Sequence, residues 1–188
     1  MKRCPWGRDD ELYIRYHDEE WGVPVHDDMK HFEFLVLESA QAGLSWETIL
    51  KKRENYRKAY EGFDPVKVSK YGEKKIVELM GNAGIIRNRK KIEASINNAK
   101  RFLEIQREFG SFDIYIWSFS GNKQVINKWK KIPEIPASTE LSDRISADLR
   151  KRGFKFIGTT TIYAHLQAIG IVNDHVTSCF RYKEVIEK

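Results

Sequence analysis

The sequence has only two cysteines, Cys4 and Cys179, and they stand near opposite ends of its 188 residues. A disulfide framework is thereby excluded, and in a reducing compartment such a pair is more often free or metal-bound than oxidised. No apolar run approaches the ~20 residues that a membrane-spanning helix needs. The opening residues Met1-Lys2-Arg3-Cys4-Pro5-Trp6 lack the apolar segment of a secretion signal. These absences make a cytoplasmic protein with no membrane partner the expectation. Hairpin-turn signals are nearly missing as well, and no internal repeat or low-complexity tract interrupts the chain. The hydrophobic share of 41% is that of an ordinary globular protein, and the length suits a single domain.

What is present is positive charge and a dominant helical pattern. The 33 Lys and Arg residues against 27 Asp and Glu leave a net charge of +6 at pH 7. That surplus fits a polyanionic partner, but many basic proteins bind no nucleic acid, so charge alone decides nothing. Asp9 or Asp10 can cap a helix carrying Leu12, Tyr13, Tyr16 and His17. A second helix is expected from about Asp28 to Ala42, ending at Gly43, and Ser45 can cap a third over Trp46 to Arg53. Asp64-Pro65 reads as an N-cap followed by a first-turn proline. Helical patterns continue over Glu73 to Met80, Asn88 to Phe109, Ser142 to Arg152 and Gly158 to Ile169. A last helix is expected to start at Asn173 or Asp174. Phe112 to Phe119 is short enough for a strand yet has no evident partner. Residues 120–139, with Gly121, Pro133 and Pro136, read as an ordered loop. The fold class is therefore all-α, with many short helices.

Several residue groups have the makings of chemistry. His175 and Cys179 are four residues apart in the expected last helix, so both would project from one face. With Cys4 and His17 they form a Cys2His2 set, which tetrahedral zinc favours. Four protein ligands would leave no open position, so such a site would be structural. The alternative is that the cysteines are buried apolar residues and the histidines ordinary polar ones. Trp6, Tyr13, Tyr16, Trp21 and Trp46 crowd the first quarter of the chain, either as core or as walls for a flat ligand. Glu38 lies four residues after Phe34 and three after Leu35, so a helix would put its carboxylate beside an apolar stripe. That placement is costly unless the charge is paired, by a nearby Arg or Lys or by a cationic ligand. The basic cluster Arg87, Arg89, Lys90 and Lys91 either flanks a polyanion or forms a solvated helix start, the latter being the expectation.

Longer strings narrow these alternatives. They are Arg3-Cys4-x-Trp6, Tyr13-x-x-Tyr16-His17-Asp18-x-Glu20-Trp21-Gly22-Val23-Pro24 and Leu37-Glu38-x-x-Gln41-Ala42-Gly43-Leu44-Ser45-Trp46. Later come Ala83-Gly84-Ile85-Ile86-Arg87, Lys151-Arg152-Gly153-Phe154-Lys155-Phe156, Gly158-Thr159-Thr160 and Val172-Asn173-Asp174-His175. In these blocks, ordered from Arg3 to Cys179, the chain resembles the bacterial 3-methyladenine DNA glycosylase I family. The resemblance implies a helix-hairpin-helix glycosylase fold, one domain over residues 1–188, acting as a monomer on double-stranded DNA with alkylated bases. It implies base removal by hydrolysis alone, and Thr159-Thr160-Thr161 offers no lysine for a lyase step. It implies one structural zinc held by Cys4, His17, His175 and Cys179, clasping residues of about 1–27 to about 171–188.

The resemblance also puts Tyr16, Trp46, Trp6 and Trp21 at a base pocket, with Tyr13 beside them and leaning toward the core. Glu38 is then the pocket carboxylate and the catalytic candidate. Many helix-hairpin-helix glycosylases use an aspartate downstream of the hairpin, which this family is known to lack. Asp174 falls in roughly that region and is the second candidate. Lys155, Gly158, Thr159 and Thr160 become candidate DNA contacts in the hairpin, and Gln41 and Leu44 candidate wedge residues. Without the resemblance, Gly158-Thr159-Thr160 is only a helix cap and Leu44 a core staple as readily as a wedge. Phe156 stands where the commoner two-glycine hairpin has its first glycine.

Overall fold

The computed structural model of the chain describes residues 1–6 and 10–186, and helices dominate it. Helix α1 (Glu11–Glu19) begins where the Asp10 carboxylate accepts from the backbone N–H groups of Leu12 and Tyr13. Asp9, the other candidate cap, lies outside the described residues. Helix α2 (Asp28–Gln41) is capped by Asp27 and buried without a break from His31 to Ala40, so it runs through the interior. Helix α3 (Trp46–Ala59) starts at Ser45, whose Oγ accepts from the Thr48 N–H, and continues well past Arg53. Helices α4 (Pro65–Val68), α5 (Glu73–Gly81) and α6 (Arg89–Phe109) follow at or near the expected positions.

Helix α7 (Phe112–Ser118) resolves the ambiguous segment. Ser111 Oγ accepts from the Ile114 N–H, and the carboxylate of Asp28 accepts from Phe112 and Asp113 N–H at 2.9 and 2.8 Å. A cap supplied from so far along the chain leaves no local trace in the sequence. Helices α8 (Glu140–Lys151) and α9 (Thr159–Ala168) pack against each other and are joined by the turn over residues 152–158.

The helix expected from Asn173 or Asp174 is not formed. Instead Val172–Asn173 (β2) pairs in parallel with Val125–Ile126 (β1), a two-residue departure from an all-α reading that anchors the 120–139 segment. That segment also holds a short 3-10 turn, Ile132–Glu134. Beyond β2, Asn173 Oδ1 accepts from the His175 N–H at 3.2 Å, a cap-like bond that no helix follows because Asn173 itself is held in the strand pair. Helix resumes only at α10 (Arg181–Glu184), so His175 and Cys179 lie on a turn and not on one helix face.

Gly170 lets the two ends of the chain meet. Its φ is +72°, and a Cβ there would overlap the backbone of Val23 and Pro24. The same crossing carries main-chain bonds from Gly22 N–H to Gln167 O and from Val25 N–H to Ile169 O, each 3.0 Å. Phe180 N–H donates to Lys2 O at 2.9 Å, fixing the first residues beside the last ones. Among the described residues no helix is long and apolar enough to cross a membrane.

Candidate functional site

Residues from α1, α2, α3, α9 and the 132–137 stretch enclose a cavity of about 360 Å³. Trp6, Tyr13, Tyr16, Trp21 and Trp46 all line it, together with Glu38, Gln41 and Thr160. Tyr16 comes from the inward face of α1 and lies against Trp46, the first residue of α3, with ring centroids 5.3 Å apart. Trp6 meets Trp21 edge to face at 4.8 Å and Tyr13 at 5.5 Å. The Trp46 indole N–H is buried and has no acceptor among the described residues. A donor left so costs about 1–3 kcal/mol until something accepts it.

Glu38 gives this cavity its carboxyl. The residue is buried, and no hydrogen bond or ion pair reaches its carboxylate from the described residues. Burial alone pushes its pKa up to about 8. Its proximity in turn helps burial hold the Tyr16 phenol well above its usual value. A larger cleft of about 650 Å³ lies between α1, α2 and α3 and shares Tyr16 as a lining residue. There, however, Arg15, Lys30, Arg53 and Arg57 are each paired with a glutamate, so the cleft offers no unmet charge.

Cys4, His17, His175 and Cys179 are all buried, and their donor atoms lie within 4.8 Å of one another. Cys4 Sγ and Cys179 Sγ are each 3.5 Å from His175 Nδ1, and Cys179 Sγ is 3.4 Å from His17 Nε2. A tetrahedral ion with bonds of about 2.0–2.3 Å would separate sulfur and nitrogen donors by about 3.5 Å. The remaining ring nitrogens are also provided for. His17 Nδ1 is 2.7 Å from Asp18 Oδ1, and His175 Nε2 is 2.9 Å from the Trp21 carbonyl oxygen. Outer partners of this kind orient imidazole ligands. The residues therefore fit a metal ion. The cluster also abuts the cavity, because the Trp21 ring packs edge-on against His175 at 4.6 Å and Trp6 against His17 at 5.1 Å.

The remaining expected contacts lie outside the cavity lining. Leu44 is exposed on the turn between α2 and α3, where Gly43 has φ +80°. Lys155 is exposed on the α8–α9 turn, Gly158 precedes α9, and Thr159 Oγ1 pairs with Ser142 Oγ at 2.8 Å. Phe156 adopts φ +56°, so it takes the left-handed conformation expected of a glycine at that place. Asn98 clips the turn by bonding both the N–H and the carbonyl of Lys155 at 2.8 Å.

Residues 6–182 match the family described as methyladenine glycosylase. The chain is a member of that family. DNA-3-methyladenine glycosylase 1 of Escherichia coli (strain K12) is 50% identical over 182 residues, 97% of each chain. A crystal structure of 3-methyladenine DNA glycosylase I superposes with a TM-score of 0.93 at 49% identity, covering 95% of this chain and 98% of that one. The Staphylococcus aureus 3-methyladenine DNA glycosylase I, solved for the structural basis of its 3-methyladenine recognition, gives a TM-score of 0.92. It is 37% identical and covers 96% of both chains.

Parts of this methyladenine glycosylase's cavity escaped sequence reading. Tyr163, Ala164 and Gln167 line it from α9, and they follow Thr160 at helical spacing, a signal that extending the Thr160 face would have found. Ile132, Ile135 and Pro136 line it from an irregular segment with no such periodicity. Lys91 corrects the expectation of a solvated basic helix start. Arg87, Arg89 and Lys90 are exposed, but Lys91 is buried and its Nζ donates to the Ala40 and Ala42 carbonyls at 2.8 and 2.6 Å. The end of α2 needs donors for its last carbonyls, and a cation serves best there.

Proposed function

We propose that this chain is a monofunctional 3-methyladenine DNA glycosylase that hydrolyses the N-glycosidic bond of 3-methyladenine in double-stranded, alkylated DNA. The observation that carries the reading is a buried, unpartnered Glu38 carboxyl in a cavity walled by indoles and phenols. A purine alkylated at N3 while still attached to its sugar is a cation. An indole face attracts a cation by ~0.5–2 kcal/mol, and the Glu38 carboxylate supplies the opposite charge that burial otherwise makes costly. Normal adenine is neutral and forgoes both gains. Tyr16 lies beside Glu38 as a second hydrogen-bonding group.

The chemical demand is modest. The bond between C1′ and the purine nitrogen breaks with its electron pair moving onto the base, which neutralises the cation and makes it a good leaving group. Water adds to C1′ and releases a proton. The protein's tasks are to flip the nucleotide, hold the base and let water reach the sugar. Among the described residues no lysine lines the cavity, which supports hydrolysis without a lyase step.

The same reading covers the DNA grip and the metal. The α8–turn–α9 unit acts as a helix-hairpin-helix, with Lys155, Gly158, Thr159 and Thr160 near phosphates and the α9 N-terminus offering free N–H groups. Leu44, with Gln41, fills the gap left by the flipped nucleotide. One structural zinc on Cys4, His17, His175 and Cys179 clasps the chain ends in a single-domain, cytoplasmic monomer. When bound it supplies only cross-linking; base removal is left to the cavity residues.

Two measurements test this. The protein incubated with methylated duplex DNA should release 3-methyladenine. A chain that binds duplex DNA but releases no alkylated base would instead be a binding module. Elemental analysis should find about one zinc per chain, and a chelator should lower both the melting temperature and the affinity for free 3-methyladenine, since Trp6 and Trp21 rest on His17 and His175. A melting temperature indifferent to chelation would reject the clasp.

A further inference from the structure

Asp174 is fully buried and adjacent in sequence to a cluster residue, yet its carboxylate meets none of the cluster's donor atoms. One oxygen accepts from Asn127 Nδ2 and Trp129 Nε1, both at 2.7 Å. The other accepts from Gln167 Nε2 at 2.7 Å and from the Tyr163 hydroxyl. Four donors fill the lone-pair positions of one carboxylate. Nothing is left to accept a proton from an attacking water. The donors come from two different walls of the cavity. Tyr163 and Gln167 line it from α9, whereas Asn127 and Trp129 belong to the segment that lines it farther on with Ile132 and Ile135.

We propose that Asp174 is a positioning residue that ties these two walls together and so sets the width of the base pocket. The inference rests on the base-pocket reading given above. A fixed wall spacing matters because stacking and cation attraction both fall away when a ring is free to shift.

The test uses the full chain with Asp174→Asn and Asp174→Ala, measuring kcat and KM on methylated DNA and the affinity for free 3-methyladenine by tryptophan quenching. Asparagine keeps the shape: the Tyr163 hydroxyl can become an acceptor and the Gln167 amide can flip. D174N should therefore retain excision within about tenfold of the unaltered protein, whereas D174A should weaken free-base affinity and kcat/KM together by about tenfold or more, with a smaller loss in kcat. A loss of about a thousandfold in kcat for D174N with free-base affinity intact would mark a water-activating carboxylate and overturn the inference. Unchanged base affinity in D174A would overturn it equally. If D174A does not fold, Tyr163→Phe removes one donor and should weaken base affinity about threefold; no change there would also overturn it. Absence of excision by the unaltered protein would instead reject the proposed function itself, a result separable from a normal parent with indifferent variants.

Discussion

Glu33 and Glu38 lie on one helix, five residues apart, and are almost equally hidden, at 3% and 5% exposure. Their surroundings are opposite. Glu33 receives Arg53 Nε at 2.8 Å and Arg57 Nη2 at 2.7 Å, with Lys30 Nζ at 3.2 Å. Burial pushes its carboxyl up, but bonding and charge from Arg53, then Lys30 and Arg57, outweigh that and hold it below the ordinary range. Glu38 has burial and nothing to offset it, and rises to about 8. The pair separates a carboxylate whose partner is built in from one whose partner must arrive. It also explains why the larger cleft is the less suited to a cation: its charges are satisfied, whereas the smaller cavity holds a carboxyl without a counter-charge.

Removing each carboxylate should break different things. Glu33→Gln takes away one of the two carboxylates that neutralise Arg53, the bidentate Glu20 remaining, and should cost about 2–3 kcal/mol of stability, read from urea unfolding. Excision per folded molecule should stay near normal at low temperature. Because the folded Glu33 carboxyl titrates below its unfolded value, its contribution is present at neutral pH and disappears as pH falls below about 4.5 toward the lower folded value. An unfolding midpoint unmoved by E33Q would dissolve the contrast.

Glu38→Gln should act in the opposite sense. Excision should fall by about a hundredfold or more, roughly 3 kcal/mol in the barrier. Stability should not fall. A folded pKa of about 8 against an ordinary 4.5 means that the native state holds its proton longer than the unfolded chain. Stability from this group is therefore complete below the unfolded pKa and is lost as pH rises toward 8. E38Q lacks that loss, so its advantage over the parent should grow across this window to roughly 2–4 kcal/mol, the cavity's access to water keeping it below the full linkage value. The parent should show kcat/KM rising toward pH 8 as the carboxylate forms, and E38Q should flatten that rise. A variant that excises normally would put the counter-charge elsewhere.

How much of this was legible beforehand depended on whether the cause was local. Caps at Asp10, Ser45, Asp64 and Asn88 act within a few residues, so most helices stood close to where the pattern put them. Helix α7 was ambiguous because part of its cap comes from Asp28, on another helix. The supposed helix at Asn173 failed although Asn173 makes a cap-like bond to the His175 N–H, because Val172 and Asn173 pair with β1 and Asp174 is held by four side-chain donors. The cavity's aromatic wall and Glu38 were readable as a resemblance carried by long strings. The wall from 132–137 was not, since an irregular segment has no periodicity to betray its inward face. The pairing of Glu33 was equally hidden, because Arg53 and Arg57 belong to the next helix and their direction is a tertiary fact.

The smallest expected effect extends the contrast from charge to backbone. Glu38 breaks a local rule without compensation, and so does Phe156, which holds φ +56° while the residue is 38% exposed. A non-glycine residue there costs roughly 1–2 kcal/mol, and glycine would recover part of it while giving back about 0.5–1 kcal/mol in unfolded-chain entropy. Ser39 Oγ donates to the Phe156 carbonyl at 3.3 Å and Asn98 fixes the neighbouring Lys155, so the turn should survive the exchange. Phe156→Gly should therefore raise stability by about 0.5 kcal/mol, a melting shift of about 1–2 °C. Phe156 lies next to Lys155 in the proposed DNA grip, so the same variant should bind duplex about two- to fivefold more weakly at fixed salt. Destabilisation by more than about 1 kcal/mol would instead show that the ring's packing outweighs its strain. In that case Phe156 would belong with Glu33, as a local violation already compensated within the fold.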